Sequence, residues 1–225
     1  MGSRCSLGGI TYSGYGNGLA FDTYFDVLFY LVAGLLIVSG RNTWAIRLTA
    51  LAALNRETAA LIPALRVAAA LRPHQSPAIE RRTLLTAGLC AALFVAEFVG
   101  VRLLLGPRPT MVACGHHVGL DTFLFNLTNH WTYFSMVATL SYIPLLALLW
   151  FPEWPPVLRR FFWTMVPAWV MVHLFMATLA EVRLFLVPQA LIFIPTAFLV
   201  SSRDAAERRT SGRDRISVPE AEDPR

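Results

Sequence analysis

Apolar and polar positions alternate along this chain in long blocks rather than at short period. Six apolar runs stand between short connectors that collect the charges and prolines. The first runs from Tyr24, or already from Phe21, to Ser39 and ends at the turn signal Ser39-Gly40-Arg41-Asn42. The second runs from Trp44 to Leu71, too long for one straight perpendicular crossing. It is interrupted by Asn55-Arg56-Glu57-Thr58 with Pro63 shortly after, which predicts a tilted, kinked or broken helix. The third spans Thr83–Leu105 and stops at Gly106-Pro107-Arg108-Pro109; the fourth spans Trp131–Phe151 with Pro144 inside it. The fifth spans Phe161–Leu179, and the sixth Leu184–Val200 with Pro188 and Pro195 within it.

Runs of roughly 17–25 apolar residues match a bilayer crossing. Hydrocarbon demands that every backbone polar group be satisfied internally, and continuous Leu/Ala/Val/Phe runs without strict alternation select helices over barrel strands. The expected fold is therefore all-α, a polytopic transmembrane bundle of about six crossings. A polar segment, 1–22, precedes a transmembrane domain, 23–202, and a charged tail, 203–225, reads as disordered. The glycine-rich start lacks the pattern of a conventional signal peptide.

Composition sharpens this picture. The chain of 225 residues is 56% hydrophobic and 15% charged, against about 25% charged in a soluble domain, and its mean hydropathy is +0.54. Every one of the nineteen basic residues is Arg, a bias expected of a GC-rich bacterial genome. The net charge of +5 suits a protein seated on anionic lipid and not a nucleic-acid binder, since no basic block is interleaved with aromatics.

Arginines collect at Arg72, Arg81 and Arg82, at Arg159 and Arg160, and in the tail from Arg203. The positive-inside rule puts these three regions, the C-terminal tail included, in the cytoplasm of a bacterial inner membrane. The 106–130 connector and the 180–183 turn then face outward. Arg41 and Arg47 fall on the outer side and count against this arrangement.

Candidate chemistry lies where polar groups enter apolar runs. Ionisable groups at depth cost roughly 2.5–3.5 kcal/mol each on insertion scales, so they pair or line wet cavities. Asn55, Arg56 and Glu57 form one such group and Glu181 with Arg183 another. Cross-pairing of Glu57 with Arg183 and of Arg56 with Glu181 is expected. It would act either as a packing lock or as a polar pocket for an anionic headgroup or phosphate. Glu97 and Arg102 are a weaker pair. Asp22 and Asp26 read as helix-start residues or as carboxylates facing an aqueous cavity, and His173 as an interhelical hydrogen bonder. Cys114, His116 and His117 lack a standard zinc spacing, and Cys5, Cys90 and Cys114 form no metal or disulfide framework, so no metal is expected. His116, His117, Asp121, Asn126, Asn129 and His130 make the 106–130 connector polar, a loop bordering a pocket. No P-loop, GxSxG, HExxH or dinucleotide fingerprint is present.

Leu54-Asn55-Arg56-Glu57-Thr58-Ala59-Ala60-Leu61-Ile62-Pro63, Pro155-Pro156-Val157-Leu158-Arg159-Arg160 and Glu181-Val182-Arg183-Leu184-Phe185-Leu186-Val187-Pro188 resemble segments of a group of bacterial polytopic proteins. Those proteins look like the C-type glycosyltransferases, which move a sugar from a polyprenyl-phosphate carrier at the outer membrane face. The resemblance covers 25–199 and is to the later half of longer members. It marks Asn55, Arg56, Glu57, Glu181 and Arg183 as substrate-binding positions, and it implies a lipid-phosphate-linked sugar as donor with no other cofactor. Family members carry their catalytic acid in the first outer loop, after an N-terminal crossing that has no counterpart here. The expectation is thus of an incomplete or inactive member in which Asp22, Asp26 or Glu57 would have to supply the carboxylate, both aspartates lying on the cytoplasmic side. The competing expectation is a non-enzymatic membrane component: a lipid or solute transporter, or a structural subunit.

Overall fold

The computed structural model describes residues 21–70, 81–106, 117–179, 182–199 and 201–202. Among them the chain is all-helical, with no strand. The helices are α1 (Phe21–Val38), α2 (Asn42–Asn55), α3 (Leu61–Ala70), α4 (Arg81–Leu105), α5 (Leu120–Thr128), α6 (His130–Leu140), α7 (Ile143–Leu149), α8 (Pro156–Met176) and α9 (Leu186–Leu199). A 3-10 turn, Glu57–Ala60, joins α2 to α3, and another, Val182–Phe185, leads into α9. Of the polar segment expected at 1–22, residues 1–20 lie outside the described residues, as do the tail expected at 203–225 and the 71–80 connector, while Phe21 and Asp22 already belong to α1.

The stretch read as one long second crossing is instead a hairpin. Asn42 opens α2 and Arg66 lies in α3, yet the Arg66 guanidinium donates to the Asn42 side chain and, at 3.3 Å, to the carbonyl of Ile37. A helix continuing in one direction over those 24 residues would separate them by about 36 Å. The reversal sits at Arg56, whose backbone is extended (φ −153°, ψ 150°). Pro63 favours a break here, because it has no N–H to offer the Ala59 carbonyl and its ring crowds that position. The hairpin lies between α1 and α4, and α3 also packs against α8.

With this reversal the stretch 42–70 runs twice between two ends of the bundle. One end gathers Asp22, the hairpin tip 55–60, Arg102 and the α5–α8 contact; the other gathers Gly40, the C-terminus of α3, Arg81 and Arg160. Arg160 fixes that second end by donating to the carbonyls of Ala68 and Ala69 at 3.3 and 3.1 Å. The expected fourth run is also broken. Ser141 takes φ 55°, a left-handed conformation costly for a non-glycine residue, and α6 and α7 meet at 74°. Pro144 falls in the first turn of α7, where its missing N–H costs nothing.

Polarity is distributed inside out. Thr23, Asp26, Thr49, Asn126, Thr132, His173, Gln189 and Thr196 are buried, whereas large apolar residues stand exposed along α1, α2, α4, α6, α7 and α8. Leu103 and Leu104 at the end of α4 are 81% and 85% exposed. Two buried hydroxyls are satisfied within their own helices: Thr49 donates to the Ala45 carbonyl and Thr196 to that of Ile192, each at 2.8 Å. Among the described residues α4 is the one helix long and apolar enough to cross a membrane alone, with the bent α6–α7 pair a second if it counts as one span. A six-crossing bundle is accordingly not established by length and hydropathy alone.

The connector read as a polar loop contains α5, which docks on the end of α8. Buried Asn126 donates to the carbonyls of Leu174 and Ala177 (3.0 and 2.9 Å) and accepts from the Leu179 N–H at 2.9 Å. It thereby satisfies carbonyls at the end of α8 that the helix leaves unpaired. Phe123 stacks on Phe175 beside it.

Close packing at one glycine tests the arrangement of α1 against α9. A Cβ on Gly34 would stand 2.8 Å from Leu191 Cδ1, while one on Gly88 meets open space. Gly34→Leu is expected to destabilise the protein by about 1–3 kcal/mol through overpacking, and Gly88→Leu to leave it unchanged or slightly more stable. Thermal unfolding of the detergent-solubilised chain measures both.

Candidate functional site

The hairpin tip places a charged cluster between α1 and α4. Asp22 and Asp26 are four residues apart on α1, hence on one face, and that face meets the tip. Arg56 Nη2 lies 3.3 Å from Asp22 Oδ2, and Nη1 lies 3.7 Å from Asp26 Oδ2. Thr58 Oγ1 donates to the same Asp26 oxygen at 3.0 Å, and Asn55 Nδ2 donates to the Asp22 carbonyl at 2.8 Å. The Tyr30 hydroxyl donates to the Thr58 carbonyl. One guanidinium therefore serves two carboxylates and the non-helical backbone is held by three side chains.

Exposure grades the cluster. The Asp22 side chain is 45% exposed, that of Arg56 22%, and that of Asp26 0%. Asp26 Oδ1 and Arg56 Nη1 are buried without a hydrogen-bond partner, as is the Thr23 hydroxyl one turn earlier on α1. Such groups retain unused hydrogen-bonding capacity at a charged centre.

A second pair lies at the mouth. Arg102 pairs with Glu57, and its guanidinium stands 4.1 Å over the Phe98 ring. Both partners reach solvent, Arg102 at 48% and Glu57 at 70%. Between α4 and the tip lies a cleft of about 80 Å³ lined by Leu54, Asn55, Arg56, Glu57, Phe98 and Val101, among others. Ligand pockets that enclose a small molecule run to about 300–1,000 Å³, so this cleft takes a single polar group and not a whole sugar.

These contacts give Arg56 and Glu57 partners that sequence reasoning did not name. Arg56 engages Asp22 and Asp26, and Glu57 engages Arg102; Glu181 and the side chain of Arg183 lie outside the described residues. Glu97 and Arg102 do not pair with each other: Arg102 turns to Glu57, and Glu97 Oε2 is buried without a hydrogen-bond partner. Asp22 and Asp26, read as lying at the end opposite the 106–130 connector, share an end with it. The physical reason is the hairpin, which adds one reversal before α4.

The turn after residue 181 nevertheless sits near the tip. Trp169 Nε1 donates to the Leu184 carbonyl at 2.9 Å, the Trp169 ring meets Tyr30 edge-on at 5.6 Å, and Tyr30 reaches Thr58. His173, stacked on Trp169 at 4.9 Å, donates through Nδ1 to the Trp169 carbonyl at 2.8 Å, a bond inside its own helix. Sequence reasoning passed over Tyr30 and Trp169; a hydroxyl-bearing ring four residues past Asp26 on the same helical face was the available signal. Of the expected connector residues, Cys114 and His116 lie outside the described residues, while Asp121 accepts from the His117 N–H at 2.8 Å. No cluster of three or more His, Cys, Asp or Glu able to hold a metal occurs among the described residues.

Removing Arg56 leaves Asp26 buried beside no cation, which costs about 3–5 kcal/mol for a broken buried pair. Arg56→Gln is expected to lose that much stability, and adding Asp26→Asn to recover most of it. Glu57→Gln, at an exposed pair, is expected to cost under about 1 kcal/mol. Denaturant unfolding in detergent distinguishes the three variants.

Comparison with family models, with curated proteins and with solved structures finds no match to this chain.

Proposed function

We propose that this chain is a multi-pass protein of a bacterial inner membrane that acts on a lipid-phosphate-linked sugar at the outer face, in the manner of a glycosyltransferase. One observation carries the reading: a broken hairpin tip inside a bundle with an apolar exterior, holding an arginine and two carboxylates at the end away from most of the arginines. Non-helical backbone at membrane depth is tolerated where protein buries it or water reaches it, and the tip meets that condition.

The distribution of charge supports the orientation. Among the described residues, Arg41, Arg47, Arg66, Arg81, Arg82, Arg159 and Arg160 collect at one end with Glu153 as the only acid there. At the other end Arg56 and Arg102 are both ion-paired. The positive-inside rule then sets the first end, and the C-terminal tail that follows α9, in the cytoplasm. The hairpin supports this orientation by bringing Arg41 and Arg47 to the arginine-rich end; in this reading Asp22 and Asp26 lie at the outer face.

In this reading Arg56 offers charge-assisted hydrogen bonds to the carrier phosphate. Asp22, the cluster carboxylate that reaches solvent, takes the proton from the acceptor hydroxyl as its oxygen attacks the anomeric carbon; the anomeric C–O bond to the phosphate breaks and polyprenyl phosphate leaves. Arg183 remains a further candidate for the phosphate. A second reading, a non-enzymatic lipid or solute carrier, is favoured by the small cleft and by half-length helices meeting at a polar break.

Two measurements test the proposal. Single cysteines at Arg41→Cys and Arg82→Cys are expected to react with impermeant maleimide only after the membrane is opened, and Glu57→Cys from outside in intact cells. Transfer from a polyprenyl-phosphate-linked sugar by the reconstituted chain is expected to fall about 10²–10⁴-fold in Asp22→Asn, the usual worth of a general base. Transfer at the original rate in Asp22→Asn would remove its catalytic role, and binding of the carrier without any transfer would select the second reading.

A further inference from the structure

The mouth of the cleft has a feature that the reading above leaves unused: it is electrically balanced. Arg56 is shared between Asp22 and Asp26 deeper in the cluster, and the charges most exposed at the mouth are Glu57 and Arg102. They form one ion pair, 70% and 48% exposed. An exposed pair of this kind contributes little to stability, so exchanging it for contacts with a ligand costs little.

A purely anionic ligand would take Arg102 and leave Glu57 unpaired and repelling it. A ligand with both signs satisfies both residues. Alongside the ion pair and the polar Asn55 and Arg56, the lining is apolar, with Leu54, Phe98, Val101 and Leu105. That combination of a charged pair with an adjoining apolar wall matches the junction of a phospholipid headgroup with its glycerol and chains. The cleft volume of about 80 Å³ fits one small charged group and excludes a bulky one. Phe98 holds the Arg102 guanidinium by its face at 4.1 Å, which leaves the N–H edge open to a phosphate.

We propose that the Glu57–Arg102 mouth binds a zwitterionic phospholipid headgroup of the phosphoethanolamine class, its phosphate on Arg102 and its primary ammonium on Glu57. The inference rests on the membrane-spanning reading and is independent of sugar transfer. The ammonium must carry N–H donors to hydrogen-bond the carboxylate, so a trimethylated headgroup binds less well. Glu57 acts as the selectivity element: without it the mouth becomes a lone cation.

The test is lipid binding by the full chain in detergent, read by native mass spectrometry and by thermal shift. Phosphatidylethanolamine, phosphatidylglycerol and phosphatidylcholine with the same acyl chains are compared, with soluble glycerophosphoethanolamine as a headgroup-only arm. The unaltered chain is expected to favour phosphatidylethanolamine by about tenfold over the other two lipids, a difference of about 1.4 kcal/mol. Arg102→Gln is expected to abolish that preference and Glu57→Gln to reverse it toward phosphatidylglycerol. Both residues are exposed, so the variants fold. Equal binding of phosphatidylglycerol by the unaltered chain, or an unchanged order in Glu57→Gln, overturns the proposal. Tight binding of the soluble headgroup overturns the lipid assignment. Recovery of the chain from the aqueous fraction without detergent would instead defeat the membrane reading itself.

Discussion

A buried carboxylate with no access to water needs a cation, and the position of Asp26 in α1 dictates where that cation stands. Arg56 meets it from the tip of the hairpin, and only a backbone extended at Arg56 brings the guanidinium between Asp22 and Asp26. Thr58 and Tyr30 complete the same knot from the other side of the break. The tip is therefore held by ionic and hydrogen-bonded contacts of high sequence separation, not by helix propensity. In a low-dielectric interior such contacts strengthen when satisfied and penalise any partner left alone. α2, α3 and α4 take their places around this point, because α4 packs on both arms of the hairpin.

The second end is held by a different chemistry. There arginines meet backbone carbonyls rather than carboxylates: Arg66 reaches Ile37 and Arg160 reaches Ala68 and Ala69. These cations add donors to carbonyls near turns and helix ends, where backbone acceptors outnumber helical donors. The bundle is thus asymmetric, with carboxylate-paired arginines at one end and carbonyl-paired arginines at the other. An aromatic group of Phe151, Trp154, Phe162 and Phe193 packs at the carbonyl-paired end.

The helical character of the chain was legible because hydropathy runs of this length admit few alternatives. The interruption at 55–58 was legible too, since four polar residues followed by Pro63 mark a break. What hydropathy does not carry is direction: 28 residues from Trp44 to Leu71 suit one tilted helix or two short antiparallel ones, and only the meeting of Arg66 with Asn42 decides. The awkward placement of Arg41 and Arg47 was the trace of that missing reversal. Partner choice was less legible: Asp22 and Asp26, spaced to share a face, were read as helix-start residues or as carboxylates facing a cavity, and not as partners of Arg56. Asn126 looked like part of a polar loop, and its role in closing the end of α8 depends on a contact 48 residues away.

The hairpin has an implication for how the chain is made. Its arms, Asn42–Asn55 and Leu61–Ala70, rise about 21 and 15 Å, each short of a hydrocarbon layer about 30 Å thick. Under the proposed membrane-spanning reading, neither arm is a self-sufficient insertion unit, whereas α4, emerging later, is long enough to be one. The hairpin and α4 would then enter as a co-operative block, with biosynthetic order running opposite to the order in which the segments can anchor.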